Sequence, residues 1–270
     1  MKSDKIAIMY DFDKTLSPKD MQEFSYFNQI GTNPEEFWSL ANKVSASEKM
    51  DPILTYMLMM IKFTPNLTKE DLNESGKAIE LFPGVETWFN RINKYGDEND
   101  IEIEHYIISS GLQEMIEGTS IKDEFKKIYA CRYVYNDQGS AIWPARVVNY
   151  TTKTQYIFRI NKGVLDESND IDLNKSTPEE TKPIPYERMI YIGDGYTDVP
   201  SMKVVSQYGG YTIAVYKDDK SRDELAGQLY HDKRAQFLIN ADYSENSEME
   251  IVVKSIIDVI SKNIILDNYK

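Results

Sequence analysis

Residues 6–15 read IAIMYDFDKT, and the architecture turns on them. Ile6, Ala7, Ile8, Met9 and Tyr10 form a short unbroken apolar run bounded by charge, the pattern of a strand buried on both faces. A strand without polar alternation belongs to a parallel sheet covered by helices. Such sheets bind ligands outside the carboxyl ends of their strands. Here that end carries two carboxylates, Asp11 and Asp13, separated by one residue.

Outward from this strand the period changes. From about residue 18 to 81 the apolar residues fall at helical spacing: Phe24, Phe27 and Ile30, then Phe37 and Leu40, then the run 53–61. The stretch has no strand signal and is expected to be an all-helical insertion. Pro83 and Gly84 punctuate the return, and Val85, Trp88, Phe89 and Ile92 mark an amphipathic helix that Gly96 is expected to end. Ile101, Ile103 and residues 106–108 predict a strand that stops at Ser109, Ser110 and Gly111, where a helix could begin. Residues 128–148 read as β-rich with a turn at 136–140, and Thr151 opens a helix carrying Lys153, Ile157 and Ile160. Residues 163–187, rich in Asp, Glu, Asn and Pro, suit an exposed excursion. Residues 189–192 restore a buried strand that ends at Gly193-Asp194-Gly195, residues 211–216 give another, and a helix covers 249–260. The expected fold is α/β, a doubly wound, Rossmann-like parallel sheet. Residues 1–17 and 82–270 form the core, and 18–81 form the helical cap.

Composition narrows the function. The 44 acidic against 31 basic residues give a net charge of -13, which repels nucleic acid, so an anionic substrate needs local cations. The single cysteine, Cys131, cannot form an internal disulfide, and two histidines cannot build a zinc cluster with it. These features suit a reducing cytoplasm. The longest apolar stretch, 53–61, is too short to span a bilayer. No membrane role is expected, and oligomeric state is not legible.

Three polar clusters end three predicted strands: Asp11-Phe12-Asp13, Ser109-Ser110-Gly111, and the segment from Asp194 to Asp198. The sheet would bring them to one crevice. A concentration of carboxylates with neither His nor Cys calls for a hard cation, and Mg2+ prefers oxygen ligands while keeping waters and binding phosphate. DFDKT also begins like an EF-hand loop, but the required glycine position holds Leu16 and the bidentate glutamate position holds Gln22, so calcium by that route is rejected. His105 and His231 show no partners and read as structural or surface residues. Met57, Met59 and Met60 read as core filling.

In their order, these motifs resemble the haloacid dehalogenase superfamily, specifically its aspartate-nucleophile phosphatases. DFDKT, Asp11 to Thr15, looks like the first motif, in which the first aspartate attacks phosphorus and the second protonates the leaving group. Ser109 matches the second, whose hydroxyl holds the phosphoryl group. Backbone amides of Ser110 and Gly111 would assist, and Thr15 is grouped with these phosphate contacts. Lys153, opening its helix, is preferred over Lys162 as the third-motif lysine that neutralises nucleophile and phosphate. GDGYTD, Gly193 to Asp198, is similar to the fourth. The resemblance implies a Mg2+ site from Asp11, Asp13, Asp194 and Asp198. Lys14 stands where many members carry glycine, and its side chain is expected to point away from the site. Retention of Asp13 favours a phosphatase over the dehalogenase and phosphonate-cleaving branches. A cap between the first and second motifs resembles the phosphoserine-phosphatase-like branch and implies a small phosphorylated metabolite as substrate. A phosphomutase or other phosphotransferase differs only in the acceptor of the phosphoryl group. A noncatalytic phosphate-binding regulator would not need both Asp11 and Asp13.

Overall fold

The computed structural model describes residues 4–178, 181–225, 229, 232–267 and 269. Seven strands form one sheet: β1 (Asp4–Tyr10), β2 (Ile101–Leu112), β3 (Lys127–Tyr135), β4 (Ala141–Arg146), β5 (Met189–Gly193), β6 (Tyr211–Tyr216) and β7 (Phe237–Asn240), in the order β4-β3-β2-β1-β5-β6-β7. All neighbours run parallel except β4, which returns antiparallel along the edge against β3. The chain winds from β1 through β2 to β3, then crosses to the other side of β1 for β5, β6 and β7. The switch point therefore lies between β1 and β5, where the Asp11 N–H donates to the Ile192 carbonyl at 2.9 Å.

The helices are α1 (Tyr26–Gln29), α2 (Pro34–Glu48), α3 (Pro52–Phe63), α4 (Lys69–Gly76), α5 (Val85–Glu98), α6 (Gln113–Ile116), α7 (Lys153–Lys162), α8 (Asp170–Asn174), α9 (Val199–Gln207), α10 (Asp219–Leu225) and α11 (Glu248–Asp267). Consecutive residues 6–10 of β1 and all of β5 are buried, so both sheet faces are covered, as the unbroken apolar runs require.

The stretch expected to be helical contains α1 to α4 and no strand. Asn33 and Asp51 cap α2 and α3 with Pro at the start of each helix, and Thr68 with Asp71 makes a capping box on α4. The chain leaves the core and returns at one point, the Phe82 N–H donating to the Leu16 carbonyl at 2.9 Å. The helical layer is also fastened to the sheet edge. The Tyr133 hydroxyl donates to the Met57 carbonyl at 2.8 Å, and the Ala141 N–H donates to the Leu67 carbonyl at 2.7 Å. Met57, Met59 and Met60 are buried and belong to the core.

Three boundaries differ from expectation. Helix α5 runs past Gly96 to Glu98. A Cβ on Gly96 would stand 2.7 Å from the Ile101 carbonyl oxygen, so this glycine serves close packing against β2 rather than termination. Strand β2 does not stop at Ser109 but continues, with a register shift, to Leu112, and α6 starts only at Gln113. Strand β7 was not expected, since four residues between polar neighbours carry too little pattern. Of the segment 163–187, α8 is one short helix with no buried residue. His231 lies outside the described residues. His105 is buried and has partners after all: the Tyr10 hydroxyl at 3.0 Å and the Asn93 side-chain oxygen at 2.9 Å. Burial lowers its pKa to about 3, so it is neutral in the folded protein.

Candidate active site

The ends of β1, β2 and β5 meet over one cavity of about 330 Å³, lined by Asp11, Asp13, Ser109, Ser110, Gly111 and Asp194 on the sheet side. The first motif folds into a tight turn. The N–H groups of Leu16 and Ser17 both reach back to the Phe12 carbonyl, at 2.9 and 3.2 Å, and Lys14 takes a left-handed conformation at φ 59°. A non-glycine residue there is strained, and functional turns are where such strain is tolerated. This turn holds Asp11 facing the cavity, one carboxylate oxygen accepting the Phe12 N–H at 2.7 Å. The other oxygen lies 2.8 Å from Lys153 Nζ.

Lys153 is the first residue of α7, whose start is fixed by the Asn149 side chain accepting from the N–H groups of Thr151 and Thr152. Its ammonium has no exposed surface and bridges Asp11 and Asp198, the latter at 2.7 Å. Burial opposes its charge, but the two carboxylates outweigh burial and hold its pKa well above the ordinary lysine value. Lys162 stands elsewhere, its Nζ donating to the carbonyls of Leu173 and Lys175. Asp198 is wholly buried and also accepts from the Tyr191 hydroxyl at 2.7 Å. Its approach depends on Gly193, because a Cβ there would come within 2.6 Å of the Asp198 carboxylate.

Carboxylate oxygens of Asp11, Asp194 and Asp198 lie within 4.8 Å of one another. Lys153 compensates two of the three. Asp194 has neither ion pair nor hydrogen bond among the described residues. Burial, with Asp198 and Asp11 nearby, pushes its pKa well above the usual carboxylate range. Oxygen-only donors with uncompensated negative charge fit a hard divalent cation such as Mg2+. Asp13 is not in this group. One of its oxygens accepts the Met21 N–H at 2.8 Å, and the other lies beside Gly111. Burial, together with Asp20 and Asp11, raises its pKa well above the ordinary value, which favours the protonated form.

The phosphate contacts expected from sequence are placed unevenly. Ser109 is buried at the cavity, and its Oγ accepts the Gly111 N–H at 3.1 Å. That amide is therefore engaged rather than free for an anion, a consequence of β2 continuing through the motif. The Ser110 carbonyl accepts from Tyr56 at 2.7 Å, while its own hydroxyl is buried without a partner among the described residues. Thr15 is wholly buried and is not on the cavity wall. Lys153 stands behind Asp11 rather than on the wall.

Several lining residues were not singled out by sequence. Lys14, expected to point away, lines the cavity and pairs with Asp20 at 2.8 Å. Gln22, Trp38, Asn42 and Tyr56 line it from the helical layer. Helical periodicity reports which residues are buried, not which face a ligand, so these had no signal. Tyr191 had one: a tyrosine inside a buried strand needs a partner for its hydroxyl.

A family model described as "Putative Phosphatase" matches residues 6–209. An uncharacterized protein of Borreliella burgdorferi is 26% identical over 275 residues, covering 90% of this chain and 93% of that protein. Among solved structures, a HAD family hydrolase from Salmonella enterica subsp. enterica serovar Typhi matches with a TM-score of 0.60 at 16% identity, over 92% of this chain and 73% of that one. A phospho-aspartyl intermediate analogue of phosphoserine phosphatase matches with a TM-score of 0.55 at 17% identity, over 93% and 99%. At these identities the structural matches establish the fold. Among the described residues no helix is long and apolar enough to cross a membrane.

Proposed function

Because the chain belongs to the family described as "Putative Phosphatase", we propose that it is a phosphatase of the haloacid dehalogenase superfamily and hydrolyses a small phosphomonoester through a phosphoryl group carried on Asp11. The observation that carries this reading is the buried ammonium of Lys153 held between Asp11 at 2.8 Å and Asp198 at 2.7 Å, with Asp11 also on the cavity wall.

Lys153 holds one oxygen of the Asp11 carboxylate in place, and the Phe12 N–H fixes its second oxygen. Asp11 attacks phosphorus as the bond to the leaving oxygen breaks. Asp13, whose burial beside Asp20 and Asp11 favours the protonated form, gives its proton to the departing alkoxide. Asp13 then takes a proton from water as that water attacks the acyl phosphate, releasing phosphate and restoring Asp11. Since Ser109 Oγ accepts from the Gly111 N–H, its own hydroxyl proton is available for a phosphoryl oxygen. Asp11, Asp194 and Asp198 would hold Mg2+, which when bound neutralises phosphoryl charge.

Phosphate release from p-nitrophenyl phosphate and an alkyl phosphate tests this. EDTA is expected to abolish release and Mg2+ to restore it, while Asp11→Asn, at unchanged fold, eliminates turnover by several orders of magnitude. Full activity in chelator contradicts the metal assignment.

A further inference from the structure

The cavity wall opposite the carboxylates carries a pattern that the phosphoryl chemistry does not use. Among the described lining residues Lys14 is the one cation, and Asp20 already holds it at 2.8 Å. A leaving group bearing a carboxylate, as phosphoserine does, would therefore enter beside Asp13 and Asp20 with no free positive partner. Desolvating a charge without a partner is strongly unfavourable. An ammonium would compete with Lys14 for Asp20, and the Trp38 ring already meets Phe27, Phe37 and Tyr56 edge-to-face, with centroids at 6.0, 5.3 and 5.8 Å.

Apart from Asp20, what the helical layer offers is neutral. Gln22 Oε1 and Trp38 Nε1 are buried, belong to lining residues and have no hydrogen-bond partner among the described residues, and Ser110 Oγ across the cavity is in the same condition. Gln22 as a whole is 2% exposed. Each unpaired buried group carries an uncompensated desolvation cost, a deficit that a ligand with matching groups removes. Gln22 Oε1 needs a donor and Trp38 Nε1 needs an acceptor. A hydroxyl is both. Asn42 adds a carboxamide, and Pro52 and Ile53 give the carbon skeleton an apolar wall.

We infer that the leaving group is an uncharged polyhydroxylated alcohol, a polyol or sugar carried as its phosphomonoester, and that Gln22 and Trp38 are its recognition residues. This rests on the phosphomonoester reading above. A cavity of about 330 Å³ holds one such ring or short chain beyond the phosphate.

The test measures kcat/KM of the full chain with Mg2+ for glycerol 3-phosphate, glucose 6-phosphate, O-phosphoserine and O-phosphoethanolamine, with p-nitrophenyl phosphate as the reference. At least one of the two hydroxylated substrates is expected to exceed both charged ones by about tenfold or more, and Gln22→Leu and Trp38→Phe are each expected to lower its kcat/KM relative to the reference by about 3- to 10-fold, the loss of one neutral hydrogen bond. Should Trp38→Phe fail to fold, Gln22→Leu decides. O-phosphoserine or O-phosphoethanolamine matching the hydroxylated substrates, or an unmoved ratio in Gln22→Leu, overturns the inference. Calorimetry on Asp11→Asn separates the two readings. If nothing is hydrolysed by the native chain yet a hydroxylated phosphate binds and Gln22→Leu weakens it, the recognition site stands and the hydrolase reading falls.

Discussion

On the sheet side of the cavity, functional side chains are held from several directions. Asp11 is fixed by Lys153 and the Phe12 N–H, Asp198 by Lys153 and Tyr191, and Ser109 by the Gly111 N–H. On the helical side, Gln22 and Trp38 carry polar atoms with no hydrogen-bond partner among the described residues. The difference separates chemistry from selection. Catalytic groups gain from being fixed before substrate arrives, because no reorganisation is then needed during reaction. Groups that recognise a leaving group are completed only by the ligand. The two sides also differ in attachment. The sheet side sits at strand ends within one hydrogen-bonded sheet. The helical side is inserted through a single neck at Leu16 and Phe82, and is tied down by contacts such as Tyr133 to Met57.

Substitutions on the sheet side should therefore reduce turnover for every substrate, and the size of the loss should track each group's place in the reaction. Asp13→Asn keeps side-chain size but removes the proposed proton donor. An alkyl phosphate is expected to lose about 10²- to 10⁴-fold, whereas the first step with p-nitrophenyl phosphate, whose leaving group needs little protonation, loses less. Equal losses for both in rapid-quench measurements contradict the role of Asp13. Lys153→Ala is expected to cost about 10²- to 10³-fold with no dependence on leaving group. Lys162→Ala, whose ammonium donates to the carbonyls of Leu173 and Lys175, should stay within about threefold. Reversal of that order would break the assignment. Because Lys153 is the buried partner of two carboxylates, thermal unfolding of the variant is measured alongside, to distinguish lost catalysis from lost fold.

The smallest expected effect concerns stability alone and lies beneath the floor. His105, between Tyr10 and Asn93, is neutral when folded, with burial lowering its pKa from 6.5 to about 3. Below about pH 6.5 the unfolded chain takes up a proton that the folded chain refuses. Stability should therefore fall as pH drops from 6.5 toward 3, and is fully present above that window. Urea unfolding midpoints of wild type and His105→Gln, compared at pH 7 and pH 5, should converge at the lower pH. Parallel losses in both proteins would remove His105 as the cause.

The legible and illegible parts of the molecule divide along the same line. Asp11, Ser109, Lys153, Asp194 and Asp198 could be placed near one crevice because each follows a strand or opens a helix, and the winding of a parallel sheet dictates where those ends meet. What the pattern could not carry was local backbone detail. The continuation of β2 through Ser109 to Leu112 diverts the Gly111 amide to a serine, and the left-handed Lys14 brings an exposed side chain round to Asp20. Nor could it carry the inward-facing residues of the insertion, since a buried Gln22 or Trp38 fits a helical period as well as any core residue does.

Trapping the phosphoryl group tests the central claim most directly. Acid quench of the Mg2+-loaded protein turning over a labelled phosphomonoester, followed by peptide mapping, should place covalent phosphate on Asp11, with more retained in Asp13→Asn and none in Asp11→Asn. Phosphate on any other residue, or full turnover by Asp11→Asn with no trapped label, would contradict the account.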